Sequence, residues 1–221
     1  MKRLMIIGAG GFGREMLAWL EATEKTACYE ASGFLDKNSK ALDGYGIDLP
    51  ILGDPDHYQP KSDDLFICAF GNTREKLRIC RSLKARGGQF ATFIHPTAVI
   101  GKNCSIGEGS ILCPGAVVTS NVRIGSFVTL NVFATVGHDA VIGDGSTLSG
   151  HCDVTGFAFL GEGVFMGSHA AVLPGAVVGD YAVIGAGSVV LKKAAAKTTV
   201  FGVPARCIAD FSKEGGSGGW Q

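Results

Sequence analysis

Two sets of residues in this chain have the types and spacing to do chemistry. The first is Gly8-Ala9-Gly10-Gly11-Phe12-Gly13, directly after the apolar run Leu4 to Ile7. A Gly-x-Gly-x-x-Gly turn between a strand and a helix lets backbone N–H groups approach a phosphate at the helix N-terminus. That geometry suits any diphosphate, whether it belongs to a dinucleotide or to a sugar nucleotide. Asp36, which ends the apolar run Gly33-Phe34-Leu35, lies close to the distance at which an acidic residue meets a ribose; a strand-end turn residue is the equal reading. Gly71-Asn72 closes a third apolar run, Leu65 to Phe70. The second set is histidine. His138 is followed directly by Asp139, and His151 and His169 are spaced eighteen apart. His95 precedes a proline and reads as structural, and His57 lies in a polar loop.

The elements that must position these groups are legible in the spacing of apolar residues. From Ile94 to Val190 an aliphatic side chain recurs at every sixth position, and the residue four places on is always Ala, Ser, Cys or Val. This is the hexapeptide signature of a parallel β-helix, whose coils bury their apolar faces only against one another. With three hexapeptides to a triangular turn, residues eighteen apart stack at about 4.8 Å. His151 and His169 are therefore expected to stack, marking a groove or a polar face. Positions two beyond each aliphatic fall at corners and sort into three columns. Glu108, Ser126, Asp144, Glu162 and Asp180 form an acidic column, read as a solvated edge. Pro114, Val132, Gly150, Ser168 and Ala186 form a small one with room for a ligand. Lys102, Ser120, His138, Gly156 and Pro174 form the third, which holds the one corner histidine.

Residues 1–92 read differently. A strand, the glycine turn, a helix from Arg14 to about Thr23, two more apolar runs ending at Asp36 and at Gly71-Asn72, a helix over residues 73–86 and a strand at Gln89 to Phe93 predict a Rossmann-like α/β, βαβ half-domain. In such folds ligands sit at the carboxyl ends of the strands, where all three motifs fall. The segment lacks room for the second half of a dinucleotide fold, so one nucleoside diphosphate suits it better. Residues 93–191 form the β-helix of about five coils. Lys192-Lys193 and the following alanines end the repeat, residues 192–211 cap the last coil, and the Gly-rich residues 212–221 read as a disordered tail.

Composition excludes several classes. Lys plus Arg equal Asp plus Glu at 20 each, which leaves no field for nucleic acid or an anionic membrane. The N-terminal apolar segment is too short for a signal peptide or a membrane span, so a soluble cytoplasmic protein is expected. The Cys count is 7, an odd number with no Cys-x-x-Cys pair, which indicates neither disulfides nor zinc. Cys104 and Cys152 fall at small inward positions of the repeat, as compact core fillers.

Ile6-Ile-Gly-Ala-Gly-Gly-Phe-Gly13, Phe34-Leu-Asp36, Phe70-Gly-Asn72, Val136-Gly-His-Asp-Ala-Val-Ile-Gly143 and Phe201-Gly-Val-Pro-Ala-Arg206 occur in an order that resembles the bacterial sugar acetyltransferases. That group includes the UDP-4-amino-sugar N-acetyltransferases of bacillosamine synthesis and the sialic acid O-acetyltransferases. The resemblance implies a left-handed parallel β-helix, a homotrimer with active sites between chains, acetyl-CoA as co-substrate, and a nucleotide-linked amino sugar as acceptor. It implies that His138 is the general base, that Asp139 orients the imidazole in place of the glutamate of some relatives, and that the N–H of Gly156 meets the oxyanion. Acetyl-CoA would run along Thr147, Gly150, Ser168 and Ala186. Gly10, Gly11, Asp36, Lys37, Gly71, Asn72 and Arg74 would hold the sugar nucleotide, with no metal expected. Thr147 stands where one bacillosamine-type pattern has a second histidine, and Phe12 replaces the histidine of a Gly-His-Gly turn. O-acetylation remains open, as one base serves amine or hydroxyl. A metal-dependent hydratase like the gamma-class carbonic anhydrases would need His138, His151 and His169 to converge, and a non-catalytic sugar-nucleotide sensor would leave His138 and Asp139 without a task.

Overall fold

The computed structural model describes residues 2–23 and 29–212. Cys28 and the tail beyond Ser212 lie outside the described residues. The chain starts with β1 (Lys2–Ile7), α1 (Gly11–Thr23), β2 (Tyr29–Leu35), β3 (Ile51–Gly53), β4 (Asp64–Cys68), α2 (Thr73–Ala85) and β5 (Gln89–Phe90). The strands form one parallel sheet in the order β3-β2-β1-β4-β5. The order reverses at β1, so the glycine turn after β1 and Gly71-Asn72 after β4 flank the switch point of a doubly wound sheet. Helix α1 begins at Gly11, a turn earlier than its apolar spacing suggests, because the glycines themselves enter the helix.

From Phe93 the chain winds into two-residue rungs on three parallel faces. The first face runs from Val99–Ile100 to Val189–Val190 and the second from Ser105–Ile106 to Lys193–Ala194, six strands each; the third starts at Phe93–Ile94 and holds eight. Register is strict: Val118 pairs with Val136, Ile124 with Ile142 and Leu130 with Leu148. The aliphatic residue of every rung from Leu112 to Val190 points inward and is no more than 3% exposed. Each such side chain contributes about 1.5–3 kcal/mol by its burial. The inward Cys152 is buried among them, while Cys104 is partly buried at the open lower end. Corners are made by residues near φ +60° in three columns, including Asn103, Asn121 and Asp139 in one and Phe133, His151 and His169 in another. Asn and Asp suit that region, and the rings there stack on one another.

Lys192-Lys193 do not end the repeat. Val178 pairs with Ala194 and Ile184 with Val200, so the second and third faces each gain one more rung after a coil two residues shorter. Arg206–Asp210 then turns back antiparallel on Thr198–Phe201 and covers that sheet edge.

The acidic column is not a solvated edge. Helix α2 lies along it: Lys84 pairs with Glu108, Arg81 with Glu162, Thr73 Oγ1 donates to the Gly163 carbonyl at 2.7 Å, and Phe90 meets Phe127 edge-on at 4.9 Å. Asp144 and Asp180 accept the backbone N–H groups of Ser126 and Glu162 at 2.8 and 2.9 Å. The column is the seam between the two domains.

Candidate active site

His138 and Asp139 occupy the corner between the first and second faces. The tight turn that puts Asp139 at φ 60° also brings its carboxylate beside the preceding ring, and His138 Nδ1 lies 2.9 Å from Asp139 Oδ2. A carboxylate on Nδ1 fixes the tautomer that leaves a lone pair on Nε2. The imidazole is 59% exposed, rests edge-on against Phe157 at 5.1 Å, and covers Gly156: a Cβ there would lie 2.7 Å from both Cε1 and Nε2. Gly156 is buried, and its N–H has no backbone acceptor among the described residues. The corner thus presents an oriented basic nitrogen beside an uncommitted N–H donor, the two groups that acyl transfer needs.

At the N-terminal sheet, the glycine turn is tight where it meets β1 and open where it meets solvent. Gly8 has φ +96°, and a Cβ on Gly13 would lie 1.9 Å from the Gly8 carbonyl oxygen, while nothing lies within 4 Å of that position on Gly10 or Gly11. Asp36 closes this turn. Its Oδ2 accepts from Ala9 N and its Oδ1 from Asn38 N, both at 2.8 Å, so a ribose contact falls to the lone pairs these bonds leave. Lys37 is paired with Asp56 at 2.8 Å, and Arg78 meets the same carboxylate at 2.7 Å. The Arg78 and Lys37 hydrogen bonds hold Asp56 down to about 2 and raise Lys37. Asn72 is the N-cap of α2, its Oδ1 accepting from Glu75 N at 3.1 Å. Sequence reasoning missed Tyr45, which stacks on the Arg14 guanidinium at 3.7 Å beside the glycine turn.

A cavity of about 640 Å³ lies where α2 begins against the third face; Gly71, Asn72, Arg74, Tyr181, Ala186 and Phe201 line it. Arg74 covers the Tyr181 ring at 4.7 Å. Three residues expected at the sugar nucleotide and one expected at acetyl-CoA thus share one space. Ser168 and Ala186 are exposed along the corner between the third and first faces, Gly150 is half-buried below them, and His151 and His169 stack beside them with centroids 4.8 Å apart.

Thr147 does not belong to that corner. It is a strand residue of the third face, 5% exposed beneath α2, and its Oγ1 accepts from Lys76 Nζ at 2.7 Å. Lys76 also donates to Thr129 Oγ1 at 3.2 Å and to the Ser146 carbonyl at 3.3 Å. Burial lowers this lysine to about 8. The signal for it was present: Lys76 shares a helical stripe with Ile79, Cys80 and Leu83, all buried.

His138 stands on a different corner from His151 and His169, so the three do not converge as a hydratase would require. Among the described residues no group of three or more His, Cys, Asp or Glu could hold a metal ion, and no helix is long and apolar enough to cross a membrane.

Comparison with known proteins agrees with this architecture. Residues 3–83 match the PglD N-terminal domain family, and residues 90–120 and 157–192 match the bacterial transferase hexapeptide family. The chain is 30% identical over 116 residues to the UDP-N-acetylbacillosamine N-acetyltransferase of Bacillus subtilis, covering 51% of each; it spans about half the length of that curated relative. Among solved structures it resembles WeeI from Acinetobacter baumannii, with 28% identity, a TM-score of 0.82 and coverage of 94% of this chain and 100% of that one. It also resembles PerB from Caulobacter crescentus in complex with CoA and GDP-perosamine, with 25% identity, a TM-score of 0.85 and coverage of 95% and 98%. The N-terminal sheet thus matches a PglD N-terminal domain and the coils match bacterial transferase hexapeptide repeats, and over nearly its whole length the chain is similar in fold to those solved structures.

Proposed function

We propose that this protein transfers the acetyl group of acetyl-CoA to the amino group of a nucleotide-linked amino sugar, with a 4-amino sugar as the first candidate. The single observation that carries the reading is the His138–Asp139 pair, oriented at 2.9 Å and open to solvent over the bare backbone of Gly156. A relative named as a UDP-N-acetylbacillosamine N-acetyltransferase and one solved in complex with CoA and GDP-perosamine supply the chemical class. The acceptor amine attacks the thioester carbonyl carbon as His138 Nε2 takes its proton. The Gly156 N–H stabilises the oxyanion. Collapse expels the CoA thiolate, which recovers the proton from the imidazolium. No acyl-enzyme forms.

The acceptor's diphosphate would lie over Gly10 and Gly11, with Asp36, Lys37, Gly71, Asn72 and Arg74 around it, and the donor along Gly150, Ser168 and Ala186. The cavity lies on the third face, whereas His138 lies on the corner between the other two. One protomer therefore cannot bring both to the same reacting atoms, which supports a homotrimer whose His138 serves its neighbour's ligands. Phe157, Phe159 and Val177, 63%, 45% and 43% exposed beside that corner, are apolar surface of the kind such an assembly covers.

The test is thiol release from acetyl-CoA with UDP-, dTDP-, GDP- and CMP-linked amino sugars, with His138→Ala as control. We expect turnover with one nucleotide class and a loss of about 10²–10⁴-fold in the variant. An acetylated product stable to hydroxylamine is the amide; a labile one is the ester of an O-acetyltransferase. A His138→Ala rate near wild type refutes the mechanism.

A further inference from the structure

The corner beside Gly150, Ser168 and Ala186 carries a ladder of rings that no step of the proposed reaction uses. Phe133 stacks on His151 with centroids 5.3 Å apart and planes at 18°, and His151 stacks on His169 at 4.8 Å and 1°. All three residues adopt φ between 55° and 60° at consecutive coils of one column. The strict register of the coils sets the rung spacing, which is close to the separation of stacked aromatic planes plus a small offset. The ladder then breaks: the next position in the column is Gly187, at φ +66°, and nothing lies within 4 Å of where its Cβ would be. One side of His169 faces His151; the other faces this bare rung. Gly187 follows Ala186, so the bare rung adjoins the exposed small column.

We propose that the bare rung at Gly187 is a site for a purine ring, the adenine of the acetyl donor, stacked on the free face of His169. The inference rests on the reading of the protein as an acetyl-CoA-dependent enzyme. A flat, neutral heterocycle continues the ladder at the spacing the coils already impose. The two neighbouring small residues let the attached ribose and diphosphate pass close to the backbone. The reactive thioester lies at the far end of the same cofactor, so His169 acts on binding alone.

The test compares acetyl-CoA with S-acetylpantetheine, which carries the same thioester and lacks the nucleotide. His169→Ala is expected to raise the KM for acetyl-CoA about five- to a hundredfold, the loss seen when a base–aromatic stack is removed, with kcat unchanged and with no change in kcat/KM for S-acetylpantetheine. His169→Phe keeps a ring and is expected to retain the acetyl-CoA KM. Gly187→Phe fills the rung from within the chain; Phe127, Phe133 and Phe157 already occupy this backbone conformation in the corners, so the fold accommodates it, and the KM for acetyl-CoA is expected to rise as in His169→Ala. An unchanged acetyl-CoA KM in both His169→Ala and Gly187→Phe overturns the proposal, as does an equal loss with S-acetylpantetheine, which would mark a structural defect. A wild-type protein that consumes neither thioester with any amino-sugar nucleotide overturns the underlying activity, and the adenine site with it.

Discussion

Lys76 gives the sharpest test of how the two domains are joined. Its ammonium is fully buried between α2 and the third face, where Thr129, Thr147 and the Ser146 carbonyl accept its three hydrogens. No carboxylate meets it there, so burial dominates and lowers it from 10.5 to about 8. Each tenfold in proton affinity is about 1.4 kcal/mol, so the charged form is about 3 kcal/mol less favourable in the folded chain than in the unfolded one. Below pH 8 both states hold the proton and the folded state bears this cost in full. Between pH 8 and 10.5 the folded chain has released a proton that the unfolded chain still binds, so stability rises with pH across that window. Lys76→Met keeps the length of the side chain and removes the titration. At pH 7 the variant escapes the cost of the buried charge but leaves three acceptors without their donor, and these effects offset each other to within about 2 kcal/mol. Urea unfolding of both proteins at matched concentration from pH 7 to 10.5 reads the difference, in which the shared tyrosine titrations cancel; Cys68 and Cys80, whose thiols interact electrostatically with Lys76, are replaced by alanine in both. The wild type should gain about 3 kcal/mol on the variant over the window. Parallel curves, agreeing within about 0.5 kcal/mol throughout, would refute a buried charged lysine at the seam.

Two glycines test the close approaches that shape the site. Gly156→Ala sets a Cβ 2.7 Å from the His138 ring and must turn the imidazole aside; kcat should fall at least about tenfold, a misplacement of an ångström costing as much as about a hundredfold, with the unfolding curve unchanged, and a wild-type kcat would mean the ring does not work from this position. Gly13→Ala sets a Cβ 1.9 Å from the Gly8 carbonyl oxygen, forcing α1 off β1. It should cost about 3 kcal/mol or more and weaken nucleoside diphosphate binding, measured by thermal melting and calorimetry; a wild-type melt would refute the packing.

The β-helix was legible in the sequence because its physics is local: an inward aliphatic at every sixth residue needs no partner beyond the next coil. The same locality explains where the reading stopped. Lys192-Lys193 look like the end of the repeat because the last coil is two residues shorter, and the aliphatic register falls out of step there although the pairing continues. The acidic column looks solvated in the sequence because nothing in a six-residue period announces that α2, from the other domain, supplies Lys84 and Arg81 to it.

Lys76 and Thr147 are two halves of one contact that a repeat pattern does not announce. Lys76 sits at helical spacing with Ile79, Cys80 and Leu83, a pattern that points inward although the side chain is charged. The resemblance to sugar acetyltransferases assigns Thr147 to the acetyl donor, although one bacillosamine-type pattern has a histidine there, but its side chain projects from a strand toward whatever covers that face. Here the cover is Lys76. A hydroxyl is the right size to accept that ammonium at 2.7 Å, and an imidazole in its place would have to share the space with a buried cation. The two residues are therefore coupled: a chain with histidine at 147 needs a different residue at 76 or a helix set further from the coil. Roles transfer along a repeat only for positions whose surroundings are set by the repeat itself. His138 and Gly156, adjacent rungs of one corner, meet that condition; Thr147, covered by another domain, does not.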